Sequence, residues 1–356
     1  MTATDPTPRV DFGHRTIVIR RSWIAVRWTA RSILVCSALV AATILLALIA
    51  LTTGDFHVSV AGVWAAIIDD PDAGFARTVV VEWRLPRATA AVVFGAALGA
   101  SGAIFQSLTR NPLASPDIIG FSTGSYTGAL LIMTLVGSSY LAVGAGALAG
   151  GIATAAIVYL LAWRRGGTRG FRLIIVGIAI AAMLGSFNTW LLLTAKLEVA
   201  LSAAVWGAGS LNGTTGQQVL IGLISTTVLL LALIALAPAV RQLELGDDAA
   251  RATGIRAEPV RLLAIGVGVA LIATATATAG PIAFVALAAP QIAKRLVRSA
   301  GMPFLPAAFL GAFLLSAADI TAQHLLPDPL PVGVVTVIIG GGYLIWLLIH
   351  EVRRRT

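Results

Sequence analysis

The sequence predicts an all-α polytopic membrane protein of about ten transmembrane helices, and three observations carry that prediction. Hydrophobic residues make up 58% of the 356 positions and charged residues only 12%, with a mean hydropathy of +0.91. A soluble domain cannot hide that much apolar surface from water. Ten apolar stretches follow one another, at 32–53, 88–108, 117–136, 139–163, 173–195, 217–240, 262–279, 281–293, 303–325 and 331–350. All but 281–293 approach the ~20 residues that a helix needs to cross the hydrocarbon core. The short one predicts a broken or partly buried helix. Finally, the basic residues segregate. With a cytoplasmic N-terminus and ten alternating helices, 21 of the 25 Lys and Arg fall inside, and only Arg77, Arg84, Arg87 and Lys196 fall outside. That is a positive-inside pattern, and shifting the count by one helix would destroy it. It places both termini on the cytoplasmic side. It also assigns the net charge of +9 to orientation and anionic lipid, not to nucleic acid.

The expected layout is a cytoplasmic tail over 1–31, a single transmembrane domain over 32–350 with an inside loop at 241–261, and a cytoplasmic tail over 351–356. The apolar run after Arg31 is too long for a signal-peptide core, so it predicts a retained first helix. Cys36, the only cysteine, has no partner for a disulfide or a metal site and reads as a packing residue. The outside loop 54–87 carries the turn Asp69-Asp-Pro-Asp72. Its Val79-Val-Val81 reads as a short strand or a helix edge. Trp83 suits the membrane interface, and Pro86 suits a first helical turn, where a missing N–H costs nothing.

The next helix carries Gly95, Gly99 and Gly102, and small residues on one face let helices approach closely. Two readings stand: plain packing, or the wall of a narrow path. After Gln106 comes Thr109-Arg-Asn-Pro-Leu-Ala-Ser-Pro-Asp117. Its prolines, Pro112 and Pro116, push Asn111 and Ser115 out of the α region, and Ser115 and Asp117 can cap the following helix. This is either a capped turn or a turn that moves. Asn188 reads as an interhelical hydrogen-bond donor. Trp206-Gly-Ala-Gly-Ser-Leu-Asn-Gly213 follows an apolar run and reads as a short external helix with an irregular return. In the inside loop, Asp247 and Asp248 suit a helix start, Ala249 and Ala250 keep that helix slim, and Gly254 suits its C-terminal cap. Such a helix is either an ordinary loop element or a knob for a partner's groove. Asp319 is the only acid placed in the later helices. It has no cation near it in sequence, and near a helix end it suits either function or capping. Gly340, Gly341 and Gly342 favour close packing or a hinge.

Enzymatic readings find little support. No Walker A pattern, HExxH or Gly-x-Ser-x-Gly occurs, and His14, His57, His324 and His350 are scattered. An ion-coupled secondary carrier is a second class, because broken helices mark such proteins. It needs central charges that this chain lacks.

From about residue 80 to 350 the chain resembles the permease subunits of bacterial ABC importers for iron-siderophores, haem and cobalamin. The matching pieces are Arg84-Leu-Pro-Arg87, Gly102-Ala-Ile-Phe-Gln106, Asn111-Pro-Leu-Ala-Ser-Pro-Asp117, Trp206 with Gly209-Ser-Leu211, Leu245-Gly-Asp with Ala249 and Gly254, Gly280-Pro-Ile-Ala-Phe-Val285 and Pro331-Val-Gly-Val334. Each is weak alone; in this order and spacing they are specific. Phe171-Arg-Leu-Ile-Ile and Phe187-Asn-Thr-Trp-Leu191 point to the ferric-enterobactin type within the family.

The resemblance implies a type II ABC importer permease fold and a second homologous permease across a central path. It implies a solute-binding protein outside and two cytoplasmic ATP-binding subunits, so that ATP is used by partners and no cofactor is bound by this chain. It assigns Arg84 and Arg87 to docking of the binding protein. It assigns Gly99, Gln106, Asn111, Pro112, Ser115, Pro116, Asp117, Trp206, Gly209 and Ser210 to the path or its gates. Leu245, Gly246, Asp247, Asp248, Ala249, Ala250 and Gly254 fall to ATPase coupling. Two departures stand out: Gln323 where the family can carry a cation, and Gln291 where it often carries a histidine after Pro290.

Overall fold

The computed structural model describes residues 16–21, 24–117, 120–163, 170–325 and 330–355. The basic residues Arg9, Arg15, Arg164, Arg165 and Arg169 lie outside them. Each of the ten apolar stretches carries a helix. The long ones are α1 (Ala30–Thr52), α4 (Leu85–Thr109), α6 (Tyr140–Ala162), α7 (Gly170–Thr194), α9 (Gly216–Glu244), α11 (Ala257–Ala279) and α14 (Val332–Arg355). Shorter ones are α5 (Phe121–Leu135), α12 (Val285–Val297) and α13 (Phe304–Ile320). Small helices α2 (Val60–Ile67), α3 (Phe75–Arg77), α8 (Leu197–Gly207) and α10 (Asp247–Ala252) sit in the connections. Among the described residues, seven helical runs are long and apolar enough to cross a membrane.

Two details depart from the sequence reading. The polar N-terminal tail holds an antiparallel hairpin, β1 (Thr16–Arg21) on β2 (Ile24–Thr29). Its β-branched run Thr-Ile-Val-Ile favours strand, and the membrane body that follows is helical throughout. Of the two readings of Val79-Val-Val81, the strand fails and the helix edge holds: Thr78–Arg84 is a π-helical stretch that leads into α4. The short stretch 281–293 becomes α12 only from Val285, after an irregular link in which Gly280 and Phe284 both have positive φ.

The body is organised around α4, of whose 25 residues 18 are buried. It packs against α9, α11, α12 and α13, and α1 lies along α13. The contacts are backbone to backbone. A Cβ on Gly95 would meet the Gly311 carbonyl oxygen at 2.5 Å, one on Gly99 would overlap that of Ala307, and one on Gly102 that of Ala286. Ser101 donates to the Gly268 carbonyl at 2.7 Å, fixing α4 against α11. Of the two readings of this glycine face, the contacts of Gly99 fit the packing one, a seam with α13. A second seam joins α5 to α6, where Gly124 and Gly128 face Gly150 and Gly146. Both pairs repeat at four, the small-residue spacing that draws helices together. The sequence reading passed over this pair. By contrast, α7 and α9 are mostly exposed along their apolar lengths, as helices facing lipid or a partner must be.

Gly102→Ala forces a methyl into the Ala286 peptide of α12, so folded yield should fall sharply. Gly185, with open space around its Cβ position, should accept the same change. Size-exclusion profiles of the two detergent-solubilised variants check this.

Candidate functional site

The residues singled out in the sequence do not converge on one place. Apart from Gly99 in mid-helix, they gather at the two ends of α4, about 35 Å apart for the 23 residues between Arg87 and Arg110.

At the first end, Arg84 and Arg87 line an open cavity of ≈ 840 Å³ together with Asp55, Glu82, Asn212 and Asp319. Neither arginine is idle. Arg84 donates to the carbonyls of Leu51 at 2.9 Å and Phe56 at 2.6 Å, so it ties up the C-terminal turn of α1 and the link beyond it. Gly54 permits this: its φ is +133°, and a Cβ there would meet Arg84 Nη2 at 2.6 Å. Arg87 makes a fork to Asp319, Nε to Oδ2 at 2.9 Å and Nη2 to Oδ1 at 2.7 Å, and Nη1 also donates to Asn212. Asp319, buried in α13, thus has the cation that its neighbours in sequence lack. Bidentate Arg–carboxylate pairs are the strong, directional kind. This one fastens α4, α13 and the 211–215 link. Gln323 also lines the cavity, with a buried Nε2 that has no hydrogen-bond partner.

The 206–213 segment is pinned at the same end. Trp206 stacks on Tyr126 of α5, centroids 6.3 Å apart and planes within 6°. The Ser210 N–H donates to the Ala279 carbonyl at 2.7 Å, and the Gly333 N–H donates to the Gly209 carbonyl at 3.0 Å. Gly209 has φ +73°, and its Cβ position falls on the Pro281 carbonyl. Backbone crossings this close admit only glycine. The segment is a three-way junction between α8, the α11–α12 link and the start of α14.

At the other end, the helix gives way to the predicted turn. Arg110 caps α4 in the left-handed region, φ 51°. Asn111 Oδ1 accepts from the Leu113 N–H at 2.9 Å, and the Ala114 N–H bonds the Asn111 carbonyl at 3.1 Å. Pro112 is exposed, whereas Ser115 and Pro116 are buried. Ser122 donates to Asp117 Oδ1, while Oδ2 is buried without a partner. Desolvation, only partly offset by that hydroxyl, pushes the Asp117 carboxyl up to about 6. One turn back, Gln106 donates to the Leu287 carbonyl at 3.0 Å and accepts from Gln291 Nε2, so the glutamine after Pro290 has a structural partner.

Beside this turn lies α10, the slim helix of the 241–261 loop. Its faces differ. Ala250 is buried with Leu243 and Ala257, and Leu108 of α4 packs on that cluster. Asp247 accepts from Arg261 at 2.7 Å and from Arg110 at 3.2 Å. Leu245, Asp248, Ala249 and Gly254 are exposed, and Gly246 is half-buried. Gly246 and Gly254 both have positive φ, so both ends of α10 need glycine. Glu244 secures the base, accepting from Ser107 at 2.7 Å and from the Met302 N–H at 3.2 Å. No His/Cys/Asp/Glu cluster among the described residues could hold a metal ion.

Removing one member of the Arg87–Asp319 pair strands a charge, so Asp319→Ala should cost about 3 kcal/mol or more. The double variant Arg87→Met, Asp319→Leu should cost much less, as thermal unfolding in detergent would show. Asp117 gives a second expectation. A raised carboxyl pKa means a penalty absent below its ordinary 3.8 and complete above about 6. Asp117→Asn should therefore melt higher than wild type at pH 7.5, with the gap closing towards pH 4.

The comparisons agree with this architecture. The model of the FecCD transport family matches residues 39–350. The ferric enterobactin transport system permease protein FepG of Escherichia coli K12 is 49% identical over 329 residues, 91% of this chain and 98% of that protein. The iron(3+)-hydroxamate import system permease protein FhuG of Bacillus subtilis is 36% identical over 286 residues, 76% and 83% of the two chains. A metal-chelate type ABC transporter solved in an inward-facing conformation superposes with a TM-score of 0.78 at 26% identity, over 89% of this chain and 99% of that one. With the family model spanning nearly all of the helical body, the chain belongs to the FecCD transport family, a family of multi-pass membrane permeases.

Proposed function

We propose that this chain is the permease subunit of an ATP-driven importer that moves a ferric siderophore across the cytoplasmic membrane. The observation that carries the reading is the form of α10. A membrane body with no ATP-binding motif of its own presents a short helix whose inner face is anchored by Asp247 and Ala250 and whose outer face is bare. A bare, glycine-bounded helix on a rigid base suits a separate motor subunit. The similarity to ferric enterobactin and iron(3+)-hydroxamate permeases over most of the chain supports a siderophore cargo.

In this reading ten helices span the membrane, both termini are cytoplasmic, and one domain covers 32–350 between tails 1–31 and 351–356. Two ATP-binding subunits dock on Leu245, Asp248, Ala249 and Gly254. A second, homologous permease completes a central path, and a solute-binding protein delivers cargo at the Arg87 end. ATP is used by the partners, and the chain itself holds no cofactor. Arg84 and Arg87 reach the outer surface while fastened internally, so they orient an acidic partner by their field more than by free side-chain ends. The Arg87–Asp319 pair also favours a siderophore permease over an ion-coupled carrier. Asp319, the buried acid, is already engaged in an ion pair with Arg87.

Cells lacking this gene should lose uptake of iron-labelled ferric enterobactin while cobalamin and haem uptake stay normal. Loss of cobalamin or haem uptake instead would move the cargo and keep the architecture. Ala249→Trp, placed on the bare face, should leave folding intact, cut uptake at least about tenfold and abolish co-purification of the ATPases.

A further inference from the structure

A polar bridge joins the anchored face of α10 to the residue at which α4 gives way to its turn, Arg110 to Asp247 at 3.2 Å. Its two ends belong to different elements. Asp247 is the first residue of α10, and its other partner, Arg261, is buried in α11. Arg110 is the left-handed cap at which α4 stops and the Asn111–Asp117 turn begins. The bond from Asn111 to Leu113 follows at once, so a displacement of the Arg110 backbone is handed directly to the turn. Leu108 touches the Ala250 cluster from the same side, which keeps the end of α4 against α10 by apolar contact as well.

The rest of α4 cannot follow such a push. Its glycine seams with α12 and α13 begin at Gly102 and continue to Gly95, and close-packed backbones do not slide by fractions of an ångström without loss of contact. Movement entering through Asp247 is therefore confined to the last turn of α4 and the segment beyond it.

We propose that Arg110 is a positioning residue that carries displacement of the α10 docking helix into the Asn111–Asp117 turn. This rests on the assignment of α10 as the ATPase-docking element. The bridge is half-exposed, with side-chain exposures of 47% and 31%, which suits a contact made and remade in each cycle. Arg261, almost fully buried, holds Asp247 in place whether or not Arg110 is engaged.

The test uses the complete importer, with both permeases, ATPases and binding protein, in proteoliposomes. It reads labelled ferric enterobactin imported per ATP hydrolysed. Arg110→Gln should assemble normally and hydrolyse ATP at close to the wild-type rate, while cargo per ATP falls about two- to thirtyfold. Arg110→Lys should recover part of the loss, and Arg77→Gln, at an exposed pair outside the body, serves as a neutral control. An unchanged ratio in Arg110→Gln overturns the proposal. So does failure of the ATPases to bind, because Arg110 would then only prop the docking helix.

A second readout needs no cargo. A nitroxide at Leu113→Cys, with the single cysteine Cys36 replaced by Ser, should change line shape on nucleotide trapping in the Arg110 protein and stay still in Arg110→Gln. Equal responses in both count against the bridge. If wild-type importer moves no ferric enterobactin, the substrate reading fails while the nitroxide result still decides the role of Arg110.

Discussion

The structure depends on the absence of side chains along one face of α4. Gly95, Gly99 and Gly102 let this helix meet the backbones of α12 and α13 directly. In a lipid solvent, burial of apolar side chains gives helices little reason to associate, so close backbone packing must do it. The consequence is a central rod wrapped by four helices, with no slack along its middle. Everything that has to give or grip is displaced to its ends, and both candidate regions are found there.

The two ends are built on the same chemistry at different depths. Each sets an arginine of α4 or its cap against an aspartate from elsewhere in the chain. Arg87–Asp319 is bidentate and mostly buried, with the aspartate on a neighbouring transmembrane helix. Taking either partner away leaves a largely buried charge without its counter-ion. Arg110–Asp247 is single-bonded and half in water, where ion pairs contribute about 0–1 kcal/mol. The first end is thus a fastening, reinforced by the 206–213 junction. The second is a joint.

How much of this was legible in the sequence follows from distance along the chain. Helix positions, the α10 loop helix and the Asn111–Asp117 turn rest on local signals, namely apolar length, capping residues and paired prolines, and they reappear within a few residues. The Arg87–Asp319 pair spans 232 positions, and no local pattern announces it. One argument was still available. A buried acid needs a cation at its own end of the membrane, and the charge partition left only Arg77, Arg84, Arg87 and Lys196 on that side. The α5–α6 seam was also readable, since Gly124, Gly128, Gly146 and Gly150 repeat at four. Gly99 shows the opposite failure: small residues on a helix face say that something comes close, and only the fold says whether it is a neighbour or a path. The N-terminal hairpin was hidden because its arginines read as a solvated tail while its β-branched alternation went uncounted.

The depth of each ion pair also constrains how the ends can work. A contact that transmits a mechanical step must break or shift within the energy of that step, and must re-form without a large desolvation cost. A pair as buried as Arg87–Asp319 fails that condition, because separating it leaves Asp319 buried without its counter-ion. A pair already half in water meets it, since each ion exchanges its partner for solvent at little cost. Arg261 completes the arrangement: by holding Asp247 from the buried side, it keeps the acceptor fixed while Arg110 lets go. The division between a buried anchor and an exposed strut on one carboxylate is what allows α10 to stay attached to the body and still pass on a displacement.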